Sequence, residues 1–481
     1  MVLSTRSNHI VDIETALLNG LAEDGGLYVI DELPAFFDHS LKMDNYKTIA
    51  FKLLHTLLPF EEADLIQLIN DAYKHFPKEI IKLSHHDRYS FLELYHGPTF
   101  SFKDMALQLL PQLIEHVKTR QGIKRQTLVL TATSGDTGSA ALAGYDSFKN
   151  AKVIVLYPKQ GVSPFQEHQM NSYQDDNHHI YGIDGNFDDC QSVIKDAFQN
   201  VNRNEVLVTS ANSINIGRLI AQIIYYFASY NKFMNAHNLT YGQPINVVVP
   251  SGNFGNVLSC YYAKQMGLPI HKMIIASNQN NVLTEFFKTG IYKVDSEIKQ
   301  SYSPSMDISI PSNLERYIFA LLDRDHQALN NLMKTLKKTH KIEVKEVLEQ
   351  TDFYANYASE EDTLETIKNV FHKERKVIDP HTAVAKKVYD KYCQETQDDT
   401  RTMIVSTASP YKFSKAVSEA LSLPKSHDLL TQIKQIGQLD QLSIDPRIIS
   451  LFDTTVIEKE LSKKGALDQV LKTLDNDYVT S

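Results

Sequence analysis

The sequence has little cysteine: Cys190, Cys260 and Cys393 stand far apart in 481 residues, with no C-x-x-C pair. That excludes a disulfide framework and a cysteine-built zinc site, and it fits a reducing compartment. A surplus of positive charge is also missing, because 49 Lys+Arg stand against 58 Asp+Glu for a net charge of −9. Without a general basic field for nucleic acid or an anionic membrane, any anionic ligand has to be captured locally. Long apolar runs are absent too, since the longest, Leu219 to Tyr230, is too short to span a bilayer and is broken by Gln222. The opening M-V-L-S-T-R-S-N has no charged-then-apolar signal pattern, so a cytoplasmic protein is expected. Gly and Pro follow no period, which removes solenoid and low-complexity classes. What remains is a globular enzyme of two to four domains, at roughly 100–200 residues per domain, with no obligate protein partner evident.

What is present is an α/β pattern. Short β-branched runs at 127–132, 152–157, 179–183, 205–209, 245–250, 272–276 and 403–407 read as strands buried on both faces of parallel sheets. Amphipathic stretches separate them: Asp188 to Asn200 sets Cys190, Val193, Ile194 and Phe198 near one face, and Asn215 to Tyr230 carries a broad apolar stripe. The first 95 residues differ, with helices expected over Asn45–Leu58 and Glu61–Lys74 and few strands. A polar helical region is expected from Ser312 to Lys376, its charge run 333–346 forming a solvated face. The division expected is 1–95, an N-terminal domain; 96–240 and 241–415, two α/β domains; and 416–481, a helical tail.

Two strands run directly into small-residue loops that open helices. The first contains Thr133, Ser134, Gly135, Asp136 and Thr137, the second Gly252, Asn253, Phe254, Gly255 and Asn256. Backbone N–H groups and the positive end of a helix dipole suit a phosphate or a carboxylate, although the same polar residues also serve simply as caps. Neither loop reads G-x-x-x-x-G-K-[ST] or G-x-G-x-x-G, which argues against nucleoside triphosphates and dinucleotides. Upstream, P-T-F-S-F-K-D-M-A-L sets Lys103 at a helix start among aromatics. Partial burial there would lower its pKa and free the amine for Schiff-base chemistry; the plain alternative is a snorkelling lysine paired with Asp104. A Schiff-base lysine, a phosphate cradle and a carboxylate loop are together what a pyridoxal phosphate enzyme acting on an amino acid requires.

P-T-F-S-F-K-D, T-A-T-S-G-D-T-G-S-A-A, P-S-G-N-F-G-N and S-T-A-S-P-Y-K-F (406–413), with S-T-R (4–6) and G-L-A-E-D-G-G-L-Y-V (20–29), resemble the threonine synthases, pyridoxal phosphate enzymes of the tryptophan synthase β-like fold, also called fold type II. The motifs run in order from residue 4 to beyond 410. The resemblance implies pyridoxal 5'-phosphate on Lys103, its phosphate in the loop Gly252–Asn256, and Thr407 facing the pyridine nitrogen. It implies Thr133 to Thr137 around the substrate carboxylate, and O-phospho-L-homoserine as substrate, yielding L-threonine and inorganic phosphate. For the second phosphate Arg218 is the first candidate, with Ser213 and Asn215 nearby and Lys159 and Arg6 behind them. In N-S-I-N-I-G-R-L, Ile216 and Gly217 replace the family's usual W-A pair. A surface salt bridge is the plain alternative for Arg218. His96 and Asp104 flank Lys103 as structural residues, while the His85–His86 and His178–His179 pairs read as surface residues, and no metal site is expected. The rivals are a threonine synthase-like phospho-lyase that releases a keto acid, and a non-catalytic ligand-binding relic of the fold.

Overall fold

The computed structural model describes residues 1–294, 297–439, 444–454 and 456–474. The part of the expected tail beyond 474 lies outside them. Two parallel sheets form the body. The first has five parallel strands in the order Glu460–Ser462, His178–Asp184, Ala151–Pro158, Gln126–Ala132 and Val206–Thr209. The second has six, ordered Phe353–Tyr357, Ile270–Ser277, Ile245–Pro250, Thr402–Ser406, Tyr89–Glu93 and Lys82–His85, all parallel except the last pair. The central strands are apolar on both faces because helices cover both sides, as in Ala151–Pro158, where every residue is buried.

The helix Ile216–Ala236 is 21 residues long and buried on nearly every side. Its I-G-R-L-I-A-Q-I-I-Y-Y-F sequence is apolar on every side apart from Arg218 and Gln222, as suits a helix inside a core. It packs against Tyr46–Leu57 of the N-terminal domain and Gly255–Gln265 of the second sheet's layer. The N-terminal domain adds a three-stranded antiparallel sheet, Ile10–Val11, Val2–Ser4 and Tyr28–Ile30.

Three expectations change. Residues 82–93, grouped by composition with the first 95, form the edge of the six-stranded sheet. The region 312–376 is not wholly helical, since Lys341–Glu343 and Phe353–Tyr357 are strands paired with Ile291–Lys293 and Ile270–Ser277. The C-terminal tail also contributes a strand, Glu460–Ser462, beside His178–Asp184. The exposed helix His326–Thr339 carries the first half of the charge run 333–346, and the rest falls on the strand Lys341–Glu343 and the turn after it.

Candidate active site

A cavity of about 1360 Å³ opens at the carboxyl ends of strands from both sheets, where α/β folds place their ligands. Its walls hold Lys103, Thr133, Ser134, Thr137, Ser213, Arg218, Gly252–Asn256 and Thr407. Residues spread over 300 positions of sequence thus meet in one site.

Lys103 precedes the short helix Asp104–Leu107. The turn that carries it is tied to the end of the strand Thr402–Ser406, as Phe102 N–H donates to Thr407 O at 2.8 Å and Ser409 N–H to Phe100 O at 3.0 Å. Phe100 takes a left-handed φ of 61°, a strained backbone for an aromatic residue held by this doubled tether. Lys103 is only 8% exposed. Its Nζ donates to Ser305 Oγ at 3.3 Å and lies 3.9 Å from Asp136 Oδ2. Burial pushes its amine down to about 8; Asp136 opposes that fall, and Arg218 and Lys412 add to it. Asp104 does not pair with Lys103. Its carboxylate accepts from Thr99 N–H at 2.8 Å and Thr99 Oγ1 at 2.6 Å, and burial raises it to about 6 against those bonds.

The loop after Gln126–Ala132 is organised from within. Thr133 Oγ1 accepts from the N–H groups of Gly135 and Gly138, both at 2.9 Å. Gly135 has φ +115°, which L side chains rarely adopt, and a Cβ there would strike the Gln166 side chain. Asp136 N–H and Thr137 N–H, at the helix start, have no acceptor among the described residues. The Asp136 carboxylate gives Oδ1 to Lys412 and Gln166 and turns Oδ2 toward Lys103. Neither Gly135 nor Asp136 is on the cavity wall.

The loop after Ile245–Pro250 is organised differently. Phe254 takes a left-handed φ of 62° and buries its ring against Phe287 and Tyr317. A Cβ at Gly252 would lie 2.4 Å from Ser305 O, so only glycine lets the chain pass there. Asn256 Oδ1 accepts from the Tyr225 and Tyr226 hydroxyls at 2.6 and 2.5 Å, leaving Nδ2 buried without a partner. Ser251 Oγ is likewise buried and unpaired. Buried polar groups without partners are uncommon, and these two sit on the cavity wall. Orphan donors above a glycine-shaped passage fit the phosphate of pyridoxal phosphate, with Lys103 across the same cavity.

Arg218 is no surface residue. It is 2% exposed, and among the described residues its side chain makes one bond, Nη1 to Ala211 O at 2.9 Å, and Nε has no partner. No carboxylate among the described residues pairs with it, and burial pushes its guanidinium down to about 10. A buried, unpaired cation on a cavity wall calls for an anion. Ser213 stands beside it, its Oγ accepting from Asn313 Nδ2 at 3.0 Å.

Asn215 does not reach the cavity. It caps the helix Ile216–Ala236 through Gly217 N–H at 2.9 Å and donates to Leu17 O at 3.0 Å. The unusual Gly217 has a physical reason: a Cβ there would come 2.6 Å from side-chain atoms of both Leu17 and Leu110. Arg6 is held bidentately by Glu315, and Lys159 pairs with Glu458 and Glu460, so neither lines the cavity. His96 pairs with Glu93. His178 is buried beside Asp175 rather than on the surface, and burial pushes half-buried His179 down to about 4.

Two wall or near-wall residues escaped the sequence reading. His381 donates from Nδ1 to Asp379 and accepts Ser305 N–H at Nε2, 3.3 Å away. Lys412 lies fully buried behind Asp136. The signal that could have found Lys412 is its place inside the S-P-Y-K-F motif, whereas D-P-H-T (379–382) signals only a helix start.

Comparison with known proteins agrees with this geometry. Residues 82–408 match the model of the pyridoxal-phosphate dependent enzymes, residues 2–73 that of the threonine synthase N terminus, and residues 382–444 that of the threonine synthase C-terminal region. Threonine synthase of Schizosaccharomyces pombe is 37% identical, over 96% of this chain and 99% of its own. The crystal structure of yeast threonine synthase superposes with a TM-score of 0.87 at 32% identity, covering 98% of both chains. The crystal structure of threonine synthase from Brucella melitensis with pyridoxal phosphate bound gives 0.85 at 31%, covering 98% of this chain and 99% of that one. Three matched segments, near-complete coverage and a buried lysine sharing one cavity with two glycine-bearing loops lead to one assignment: the chain belongs to the threonine synthase family of pyridoxal-phosphate-dependent lyases.

Proposed function

We propose that the chain converts O-phospho-L-homoserine and water to L-threonine and inorganic phosphate, in threonine biosynthesis. The observation that carries this reading is Arg218. A cofactor phosphate in the loop Gly252–Asn256 would leave this second cation without an anion, and a substrate with a phosphate of its own supplies one.

Bound pyridoxal phosphate supplies an electron sink for charge developing on the substrate's carbon chain. The protein's part is division of labour around it. Lys103 anchors the cofactor and, once released, moves a proton at the substrate's α-carbon; burial among cations keeps its free amine accessible near neutral pH. Ser251, Asn256 and the N–H groups of the second loop hold the cofactor phosphate, while Thr407 offers a neutral hydroxyl to the ring nitrogen. Ser134, Thr137 and the free N–H group of Thr137 hold the substrate carboxylate, with Gly135, Asp136 and Thr133 shaping that turn. Arg218 and Ser213 hold the substrate phosphate, first in binding and then as it leaves, and Asn215 fixes the helix that presents Arg218. The phosphate departs from the γ-carbon and water adds at the β-carbon.

The test is an assay with O-phospho-L-homoserine that follows threonine and phosphate together. One threonine per phosphate is expected; phosphate accompanied by a keto acid would replace this reading with phospho-lyase chemistry. Arg218→Ala should raise KM for the substrate at least about tenfold, with cofactor affinity near that of the parent. An unchanged KM places the substrate phosphate elsewhere.

A further inference from the structure

Asp136 opens the helix Asp136–Tyr145, a position where an acidic side chain ordinarily faces its own helix start or solvent. Here it is 3% exposed and points inward. Oδ1 accepts from Lys412 Nζ at 3.0 Å and from Gln166 Nε2 at 2.8 Å, and Oδ2 faces Lys103 Nζ at 3.9 Å. Lys412 has no exposure, and its ammonium also donates to Thr99 O at 2.7 Å and Gln169 Oε1 at 2.9 Å. Three donors therefore meet three acceptors, the arrangement of a charged lysine held in one place.

The charges around Lys103 come from four elements. Lys412 follows the strand Thr402–Ser406, Arg218 starts the long interior helix, and Asp136 starts the helix of the first loop. Asp104, on the lysine's own helix, is turned to Thr99, and His381 reaches the group only through Ser305. Among the described residues, Asp136 holds the one carboxylate within 4.0 Å of Lys103 Nζ.

We propose that Asp136 is the counter-ion that decides when Lys103 holds a proton, and that Lys412 is the positioning residue that keeps Asp136 anionic and moderates its pull. The proposal rests on the reading of Lys103 as the cofactor-bearing lysine. A lysine that both accepts and returns a proton at one carbon needs its two protonation states close in free energy. With a carboxylate in direct contact and no other cation, it would stay an ammonium. With no carboxylate, burial beside Lys412 and Arg218 would keep it neutral. Lys412 takes Oδ1 for itself and leaves Lys103 facing Oδ2 at 3.9 Å, so the lysine feels the charge without a short bond. Burial holds Asp136 up and the two lysines overcome it, keeping the carboxyl well below the usual carboxylate range.

The test compares the full chain with D136N, K412M and K412R by two measurements. One is the pH midpoint of Lys103 acetylation by acetic anhydride without cofactor, read by mass spectrometry. The other is the pH midpoint of the holoenzyme's visible absorption. D136N should lower the acetylation midpoint by about 1–3 pH units, K412M should raise it, and K412R should leave it near the parent value. The holoenzyme midpoint should move in the same senses. An unshifted D136N, or D136N and K412M moving in one direction, overturns the proposal. Should K412M not fold, D136N against K412R still decides, because an unshifted D136N is sufficient to reject it. Lys103→Ala separates the underlying reading: a surviving cofactor band there removes Lys103 from its role, whereas the acetylation midpoints judge the counter-ion on their own.

Discussion

The two strand-to-helix loops look alike as sequence, S-G-D-T-G against S-G-N-F-G, yet they are built differently, in keeping with the different anions proposed for them. In the first, Thr133 occupies two N–H groups and an acid opens the helix, so part of the local positive potential is already answered by the protein. In the second, no acid stands in the first turn, Ser251 Oγ and Asn256 Nδ2 have no protein partner, and the N–H groups of Gly255 and Asn256 find no acceptor among the described residues. A singly charged carboxylate suits the former and a phosphate the latter. Local composition sets the class of site, and whether the protein has already answered its own donors sets the charge it takes.

The comparison can be broken most severely at Gly252. Gly252→Ala sets a Cβ against the Ser305 carbonyl, a backbone atom that cannot swing aside, and should abolish cofactor binding with the fold intact by circular dichroism. A smaller effect is expected from making the second loop resemble the first. Asn256→Asp keeps both tyrosine hydroxyls satisfied but brings a negative charge to the phosphate, and should raise the cofactor Kd roughly tenfold or more. The mildest change is Tyr226→Phe, which removes one of two donors that orient the Asn256 amide. About 0.5–1.5 kcal/mol should be lost in thermal unfolding of the holoenzyme, with Tyr225 still holding Oδ1.

The contrast also explains what the sequence could reveal. The strands at 126–132, 151–158 and 245–250 were legible because burial on both faces leaves unbroken β-branched runs. Phe353–Tyr357 was not, since F-Y-A-N-Y at an edge alternates polar and apolar residues within a region otherwise rich in helical charge. Lys103 and both loops announced themselves through motif spacing and Thr407 through the family resemblance, and all four converge on one cavity. Side-chain direction was illegible. Asn215 reads as a polar neighbour of Arg218, but its amide is committed to Gly217 and Leu17. Asp136 reads as part of a carboxylate grip, while tertiary packing turns its own carboxylate to Lys412, 276 residues away. Such partners come from distant strand ends, and no local pattern encodes them.

The turn that presents Arg218 is held by carbonyls of the N-terminal domain. Leu17 O receives Asn215, and Tyr28 O receives the guanidinium of fully buried Arg316, which also donates to Ile214 O. A polypeptide trimmed to the two large sheets would retain Lys103, both glycine-bearing loops and Thr407 and lose both of these anchors. The small domain thus behaves as a jig: Arg218, proposed above to hold the substrate phosphate, is aligned by a segment whose residues 19–23 and 25 share the same cavity wall.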